Sequence, residues 1–139
     1  MDIIDTLNIS GSGLAAQRVR LRTIASNLAN ARTTRTEDGG PYQRKAPVFK
    51  AERMARFGDA LDSELASVRV TRIEEQQRVR LEYDPSHPDA GPDGYVALPD
   101  IDVLAEMVDL MTTSRAYEAN INVLDATVDM AQQALEIGR

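Results

Sequence analysis

Cysteine and tryptophan are absent from the 139-residue sequence, histidine occurs once, and aromatic residues make up only 4% of it. Without cysteine the chain forms no disulfide and has neither a thiol nucleophile nor a cysteine metal site. The lone histidine, His87, leaves no histidine pair for zinc. We therefore expect no metal, no cofactor and a mostly aliphatic core.

Long apolar runs are missing as well. The longest unbroken stretches are a few residues, far short of the roughly 20 that a membrane-spanning helix needs. Asp2 and Asp5 stand where a secretory signal places basic residues, and no apolar segment follows them. The sequence predicts neither a membrane span nor a cleaved secretory signal.

The length fits one ordinary domain, and the net charge of −6 is unevenly distributed along it. Residues 1–35 carry a net charge of +3, residues 36–100 carry −4 and residues 101–139 carry −5. The basic segment contains no aromatic residue and the whole chain is acidic, so we expect no nucleic-acid partner. The opposite charges of the two ends favour attraction between these segments, within one chain or between copies.

In the last third of the chain, nine of ten positions at alternating spacings of four and three are apolar. Pro99 and Gly138 mark the limits of this pattern. It predicts one long helix whose seam packs on another helix as in a coiled coil. The ten positions of the seam are Val103, Met107, Leu110, Ser114, Tyr117, Ile121, Leu124, Val128, Ala131 and Leu135.

A second helix is predicted over about residues 3–30, where leucine recurs every seven residues at positions 7, 14, 21 and 28. Gly11 and Gly13 interrupt this pattern, and each costs roughly 1 kcal/mol relative to alanine inside a helix. They mark either a bend or a close helix contact. Neither predicted helix can bury its apolar seam by itself, so the two helices must pair with each other or with other subunits.

Residues 36–100 have the composition of a small β module. Val79, Leu81 and Tyr83 alternate with charged residues, which predicts a half-buried strand, and residues 68–73 predict another. Residues 74–77 are predicted to form the hairpin loop between these strands, while 47–49 and 94–96 are weaker strand candidates. Residues 84–94, DPSHPDAGPDG, are predicted to form an exposed loop of solvated turn residues, because their spacing is not that of a calcium loop.

The predicted fold is therefore mainly α with a small β insert. A core helix in 1–35 and a core helix in 101–139 form a coiled-coil-like core, and 36–100 form a β-rich outer module. No nucleophile motif, phosphate-binding glycine loop or metal-spaced cluster occurs, so the sequence does not predict an enzyme.

Several short segments resemble the signatures of flagellar axial proteins, the family of rod and hook subunits. SGSGLAAQ at 10–17 and ASNLANA at 25–31 resemble its amino-terminal signature, and EMV at 106–108 with SRAYEAN at 114–120 its carboxy-terminal one. YDPSHP at 83–88 and GYVALP at 94–99 resemble segments of the proximal rod members. One departure is Asp100, where the family more often has asparagine.

This resemblance implies a structural subunit of the proximal rod of the flagellar basal body, in the periplasm. It implies terminal helices that polymerise into a helical tube, which transmits torque and serves as an export conduit. The implied partners are other copies, other proximal rod proteins, the export-gate junction protein, the distal rod protein and the flagellar type III export apparatus. The competing hypothesis is a soluble helical-hairpin adaptor or regulatory binding module.

Under the rod hypothesis the two seams supply the subunit interface. Asn27 and Asn120 are interpreted as amides that fix helix register, with surface or capping roles as the alternative. The predicted interface residues are Leu7, Leu14, Leu21, Asn27, Leu28, Met107, Leu110, Tyr117, Asn120, Ile121, Leu124, Val128 and Leu135.

Overall fold

The computed structural model describes residues 3–53 and 65–137. Two long helices, α1 (Ile3–Ala29) and α2 (Val103–Ile137), enclose four strands in the sequence. The strands are β1 (Arg44–Arg53), β2 (Ala66–Gln76), β3 (Val79–Tyr83) and β4 (Tyr95–Pro99). The predicted fold of two terminal helices around a small β module is confirmed at this level. Neither described helix is both long and apolar enough to cross a membrane.

The start of α2 is fixed by a helix cap. The Asp102 side chain accepts hydrogen bonds from the backbone N–H groups of Leu104 (2.9 Å) and Ala105 (3.1 Å). These are among the first N–H groups of the helix, which have no partner inside it. Pro99 ends β4 just upstream, so the chain changes from strand to helix within three residues.

The glycines of α1 do not interrupt it, because the helix is continuous from Ile3 to Ala29. A Cβ atom on Gly13 would lie 3.5 Å from Nδ2 of Asn120, whereas one on Gly11 would meet nothing within 4 Å. Gly13 therefore lies at the contact between α1 and α2, where an added Cβ would make an ordinary van der Waals contact. Gly11 lies on the exposed side of the helix.

The two helices form an antiparallel hairpin. Asn27 near the end of α1 contacts Glu106 near the start of α2, and Gly13 in the first half of α1 lies beside Asn120 in the middle of α2. The β1–β2 sheet packs on α1, where the backbone N–H of Val68 donates to the Ser12 hydroxyl at 3.1 Å. Thus α1 is covered by α2 and by the β1–β2 sheet, while α2 is covered mainly by α1.

The strands form two separate antiparallel pairs, β1 with β2 and β3 with β4. The predicted hairpin loop at 74–77 is wrong, because β2 continues to Gln76 and pairs there with Arg44 of β1. The weaker strand candidates at 47–49 and 94–96 fall in β1 and β4, with β4 beginning at Tyr95. The strands of residues 68–73 and 79–83 exist as predicted but do not pair with each other.

The residues of β3 alternate with the predicted period of two, but the apolar ones are exposed and not half-buried. Val79, Leu81 and Tyr83 are exposed, and Tyr83 packs edge-on against Tyr95 with ring centroids 5.2 Å apart. The buried face of this sheet instead carries Val96 and Leu98 of β4. The apolar residues of β3 are thus not half-buried within one chain, because the two-stranded sheet has no second layer on that side.

The predicted loop at 84–94 is present and lies against the end of the first segment. The Thr34 hydroxyl donates to Asp89 at 2.8 Å, and the Ser86 hydroxyl donates to Asp84 at 2.6 Å. The backbone N–H of Ser86 also donates to Asp84, at 3.1 Å. These two hydrogen bonds from Ser86 hold the pKa of Asp84 below its usual value. Within 3–53 and 65–137, no three acidic or histidine side chains come together as a metal site would require.

Candidate assembly interface

Asn27 is a buried amide at the carboxyl end of α1, with 1% of its surface exposed. Its Nδ2 donates to the Lys45 carbonyl oxygen (2.9 Å) and to Oε2 of Glu106 (3.2 Å). Its Oδ1 accepts from the Tyr42 hydroxyl (3.2 Å) and from the Lys45 backbone N–H (2.9 Å). Both donors and both acceptor positions of the amide are therefore used.

Glu106 is the acidic partner in this cluster and is buried. Arg44 donates through Nε to Oε1 of Glu106 at 2.7 Å and lies 2.6 Å from the same oxygen through a second nitrogen. A buried carboxylate without a cation would be unstable, and Arg44 supplies that cation. We call Asn27, Tyr42, Arg44, Lys45 and Glu106 the polar junction.

The polar junction joins three elements that are far apart in the sequence. Asn27 belongs to α1, Arg44 and Lys45 open β1, and Glu106 lies in the first turn of α2. Hydrogen bonds are short and directional, so a shift of either helix by one turn would leave several buried groups without partners. The junction thus fixes the register of the helix hairpin and its angle to β1.

The predicted seam of α1 lies at the border of the buried surface. Leu7, Leu14, Leu21 and Leu28 are all half-buried. The fully buried positions of α1 include Ala16, Thr23, Ile24 and Asn27, which lie beside the leucine line. The surface that α1 buries in one chain is therefore built largely from small and polar residues.

The predicted seam of α2 is only partly covered in one chain. Five predicted interface residues of α2 are half-buried: Leu110, Tyr117, Asn120, Ile121 and Leu124. Three others are exposed: Met107, Val128 and Leu135. The buried positions are instead Glu106, Thr113 and Thr127, each one residue before a predicted seam position. The side of α2 that is covered in one chain therefore lies next to the predicted seam and does not coincide with it.

A large apolar surface of α2 remains uncovered at its amino end. Leu104, Met107, Val108 and Met111 follow the one-turn spacing of a single helix face and are between 51% and 72% exposed. We call these four residues the α2 outer patch. Further exposed apolar residues follow towards the carboxyl end: Val123, Val128, Met130, Leu135 and Ile137. Side chains of this size on one face of a helix are typical of a surface that another chain covers.

Known families match both helical ends of the chain. Residues 7–35 match the model described as flagella basal body rod protein, and residues 93–137 match the C-terminal model of flagellar basal body rod FlgEFG proteins. Relatives that align over their full length identify the family more precisely than the two partial matches. The chain is 42% identical to the flagellar basal-body rod protein FlgC of Salmonella typhimurium over 140 residues and 40% identical to that of Bacillus subtilis over 151 residues. Both alignments cover 100% of each chain.

The chain belongs to the FlgC family of flagellar basal-body rod proteins. A third relative, FlgC of Aquifex aeolicus, is 41% identical and aligns over 98% of this chain. Members of the FlgC family are structural proteins of the flagellar basal-body rod, so this chain is a rod component and not an enzyme.

Sequence reasoning missed most of the polar junction of this FlgC family member. Tyr42, Arg44 and Glu106 were not predicted as functional residues, because each is an ordinary surface residue type in its own segment. One signal was available for Glu106, since a carboxylate one residue before the seam position Met107 falls inside the carboxy-terminal signature. Thr113 and Thr127 were missed because each lies one residue before a predicted seam position.

Proposed function

We propose that copies of this chain polymerise through α1 and α2 into the wall of a helical tube within the rod. The observation that carries this proposal is the α2 outer patch, which one chain leaves exposed along about two helical turns. Burying a side chain of this type contributes roughly 1.5–3 kcal/mol. The patch therefore stabilises an assembly in which a neighbouring helix covers it.

In this assembly Asn27 stays buried within its own chain, and the other predicted interface residues divide into two groups. Met107, Val128 and Leu135 are exposed in one chain and supply contacts to neighbours. The half-buried residues hold the hairpin together and border the intersubunit contact; they are Leu7, Leu14, Leu21, Leu28, Leu110, Tyr117, Asn120, Ile121 and Leu124. The helices of neighbouring copies then pack side by side in the coiled-coil-like manner that the heptad spacing favours.

Torque transmission follows from this packing. Rotating one copy against the next would expose apolar residues such as Met107 and Met111 to water, and the free energy of that exposure resists twisting. A closed wall of helices would also leave a central space, which we propose as the export conduit. The β module, with its exposed strand β3, lies outside this wall in the proposal.

The proposed partners are other copies of this chain, the other proximal rod proteins, the distal rod protein and the export-gate junction protein. Delivery to the periplasmic rod proceeds through the flagellar type III export apparatus. The adaptor hypothesis lacks a comparable observation, because the relatives that align over the full length are rod proteins.

A matched pair of substitutions in α2 tests the proposed polymerisation. Met111→Asp places a charge in the outer patch, whereas Thr112→Asp places the same charge on an adjacent residue that is exposed and already polar. In a strain lacking its own FlgC-family protein, we expect the Thr112→Asp chain to restore swimming and the Met111→Asp chain to be produced without supporting rods. Equal swimming and equal basal-body yields for the two variants would contradict the proposal.

A further inference from the structure

We propose that α1 of one copy docks on α2 of the next copy through two charge pairs, Arg18 with Asp129 and Arg22 with Asp125. This contact rests on the proposed function and specifies it, because it sets how far one copy is displaced along the assembly axis from its neighbour. The occupant of the exposed α2 face is thus a second copy of this chain.

The exposed side of α1 is basic. Arg18 and Arg22 lie one helical turn apart and both are exposed. The acidic residue Asp5 of the same helix is buried, so this side carries no described acid to oppose them. Ala15 and Ala25 on the same side are exposed and small, which lets a neighbouring helix approach closely.

The exposed side of α2 is acidic in its carboxyl half. Asp125 and Asp129 also lie one turn apart, both are exposed, and the 41% exposed Val128 beside them adds apolar surface. Within the described ranges, neither these aspartates nor Arg18 and Arg22 form an ion pair in their own chain. The one described ion pair between the helices joins Arg20 to Asp109 at 3.8 Å.

The hairpin register shows that these charges cannot meet within one chain. Asn27 lies opposite Glu106 and Gly13 lies beside Asn120, which places Arg22 at the level of about residue 111. Asp125 is 14 residues further along α2. At 1.5 Å per residue this separation is about 21 Å, beyond the reach of an ion pair.

A neighbouring copy removes this separation. Copies in a polar assembly point the same way, so α1 of one copy runs antiparallel to α2 of the next, as it does inside the hairpin. Displacing the neighbour by 14 residues aligns Arg22 with Asp125 and Arg18 with Asp129 together. Both pairs align at this one displacement because the two arginines and the two aspartates are each four residues apart, and the proposed axial displacement is about 21 Å.

Exposed ion pairs contribute chiefly to specificity rather than to affinity. Contacts of two basic α1 faces, or of two acidic α2 faces, bring like charges together and are disfavoured. The basic and acidic faces thus select head-to-tail contacts between unlike helices, and their one-turn spacing selects one displacement.

A charge exchange tests the contact. In a strain lacking its own FlgC-family protein, we expect the Arg18→Asp/Arg22→Asp variant and the Asp125→Arg/Asp129→Arg variant each to lose motility. Combining all four substitutions should restore swimming. The Arg69→Asp/Arg72→Asp variant, altered on the exposed strand β2, serves as a control that keeps swimming.

Disulfide trapping provides a second test that does not depend on the exchanged charges, and the absence of native cysteine makes it specific. In purified basal bodies, Arg22→Cys/Asp125→Cys should give disulfide-linked oligomers of this chain on a non-reducing gel. Arg22→Cys/Glu136→Cys, displaced by about 16 Å along α2, should stay monomeric. Monomer alone for the first pair in assembled basal bodies would overturn this contact while leaving the chain a rod subunit.

Discussion

Asn27 holds three elements together through one side chain. Its amide contacts the backbone of β1, the Tyr42 hydroxyl and the Glu106 carboxylate, and all of these groups lie in or beside the buried interior. An apolar residue of the same size would fill the same volume but leave these groups without partners. A buried polar group without a partner costs more than the hydrogen bond itself contributes.

We therefore expect Asn27→Ala to lower the free energy of unfolding by about 2–4 kcal/mol, the range for breaking a buried hydrogen-bond network. Asn122 is exposed on α2 and is a matched control, so Asn122→Ala should change stability by less than about 0.5 kcal/mol. Urea unfolding followed by circular dichroism measures both variants. Similar midpoints for the two would show that the junction contributes little to the hairpin.

From the sequence, Asn27 is interpreted as an amide that fixes helix register, and its place in a subunit interface stays a prediction. In the structure Asn27 is buried within one chain, between α1, β1 and α2. Its partners come from positions 42, 45 and 106, up to 79 residues away, and nothing local in the sequence marks them. Polar pairing across a fold depends on where tertiary packing places each group, so one segment cannot specify it.

At the scale of elements, the heptad spacing predicted both helices and their ends, because apolar periodicity and capping residues act locally. It did not predict which side of α2 faces α1. Thr113 and Thr127 are buried there because small side chains let the helices approach closely, and a search for apolar residues overlooks them. The strand pairing was predicted wrongly because β2 pairs with β1, which precedes it in the chain, and not with β3, which follows it.

Two glycines provide a prediction at this scale. Gly11 is exposed on α1 with nothing within 4 Å of an added Cβ, so Gly11→Ala should raise the free energy of unfolding by about 0.5–1 kcal/mol. Gly94 has a φ of +76°, and an added Cβ would lie 2.9 Å from the Tyr83 ring. Gly94→Ala should therefore destabilise the chain. Thermal unfolding distinguishes the two, and destabilisation by Gly11→Ala would contradict the assigned exposure.

At the scale of the whole molecule, one chain buries few large apolar residues and exposes many. Within residues 3–53 and 65–137, the buried apolar residues are Ala16, Ile24, Tyr42, Val96, Leu98, Pro99 and Ile101. The α2 outer patch and the apolar side of β3 remain uncovered. This exposed apolar surface supports the proposal that assembly completes the apolar burial of the chain, and the proposal agrees with its membership of a rod-protein family.

The most direct test of this account is the reactivity of a single thiol in the α2 outer patch. Because the chain has no cysteine, Met111→Cys carries one unique labelling site. We expect rapid maleimide labelling of the free protein, protection in purified basal bodies, and renewed labelling after the rods are dissociated. Equally rapid labelling in free protein and in intact basal bodies would contradict the central claim that assembly covers this face of α2.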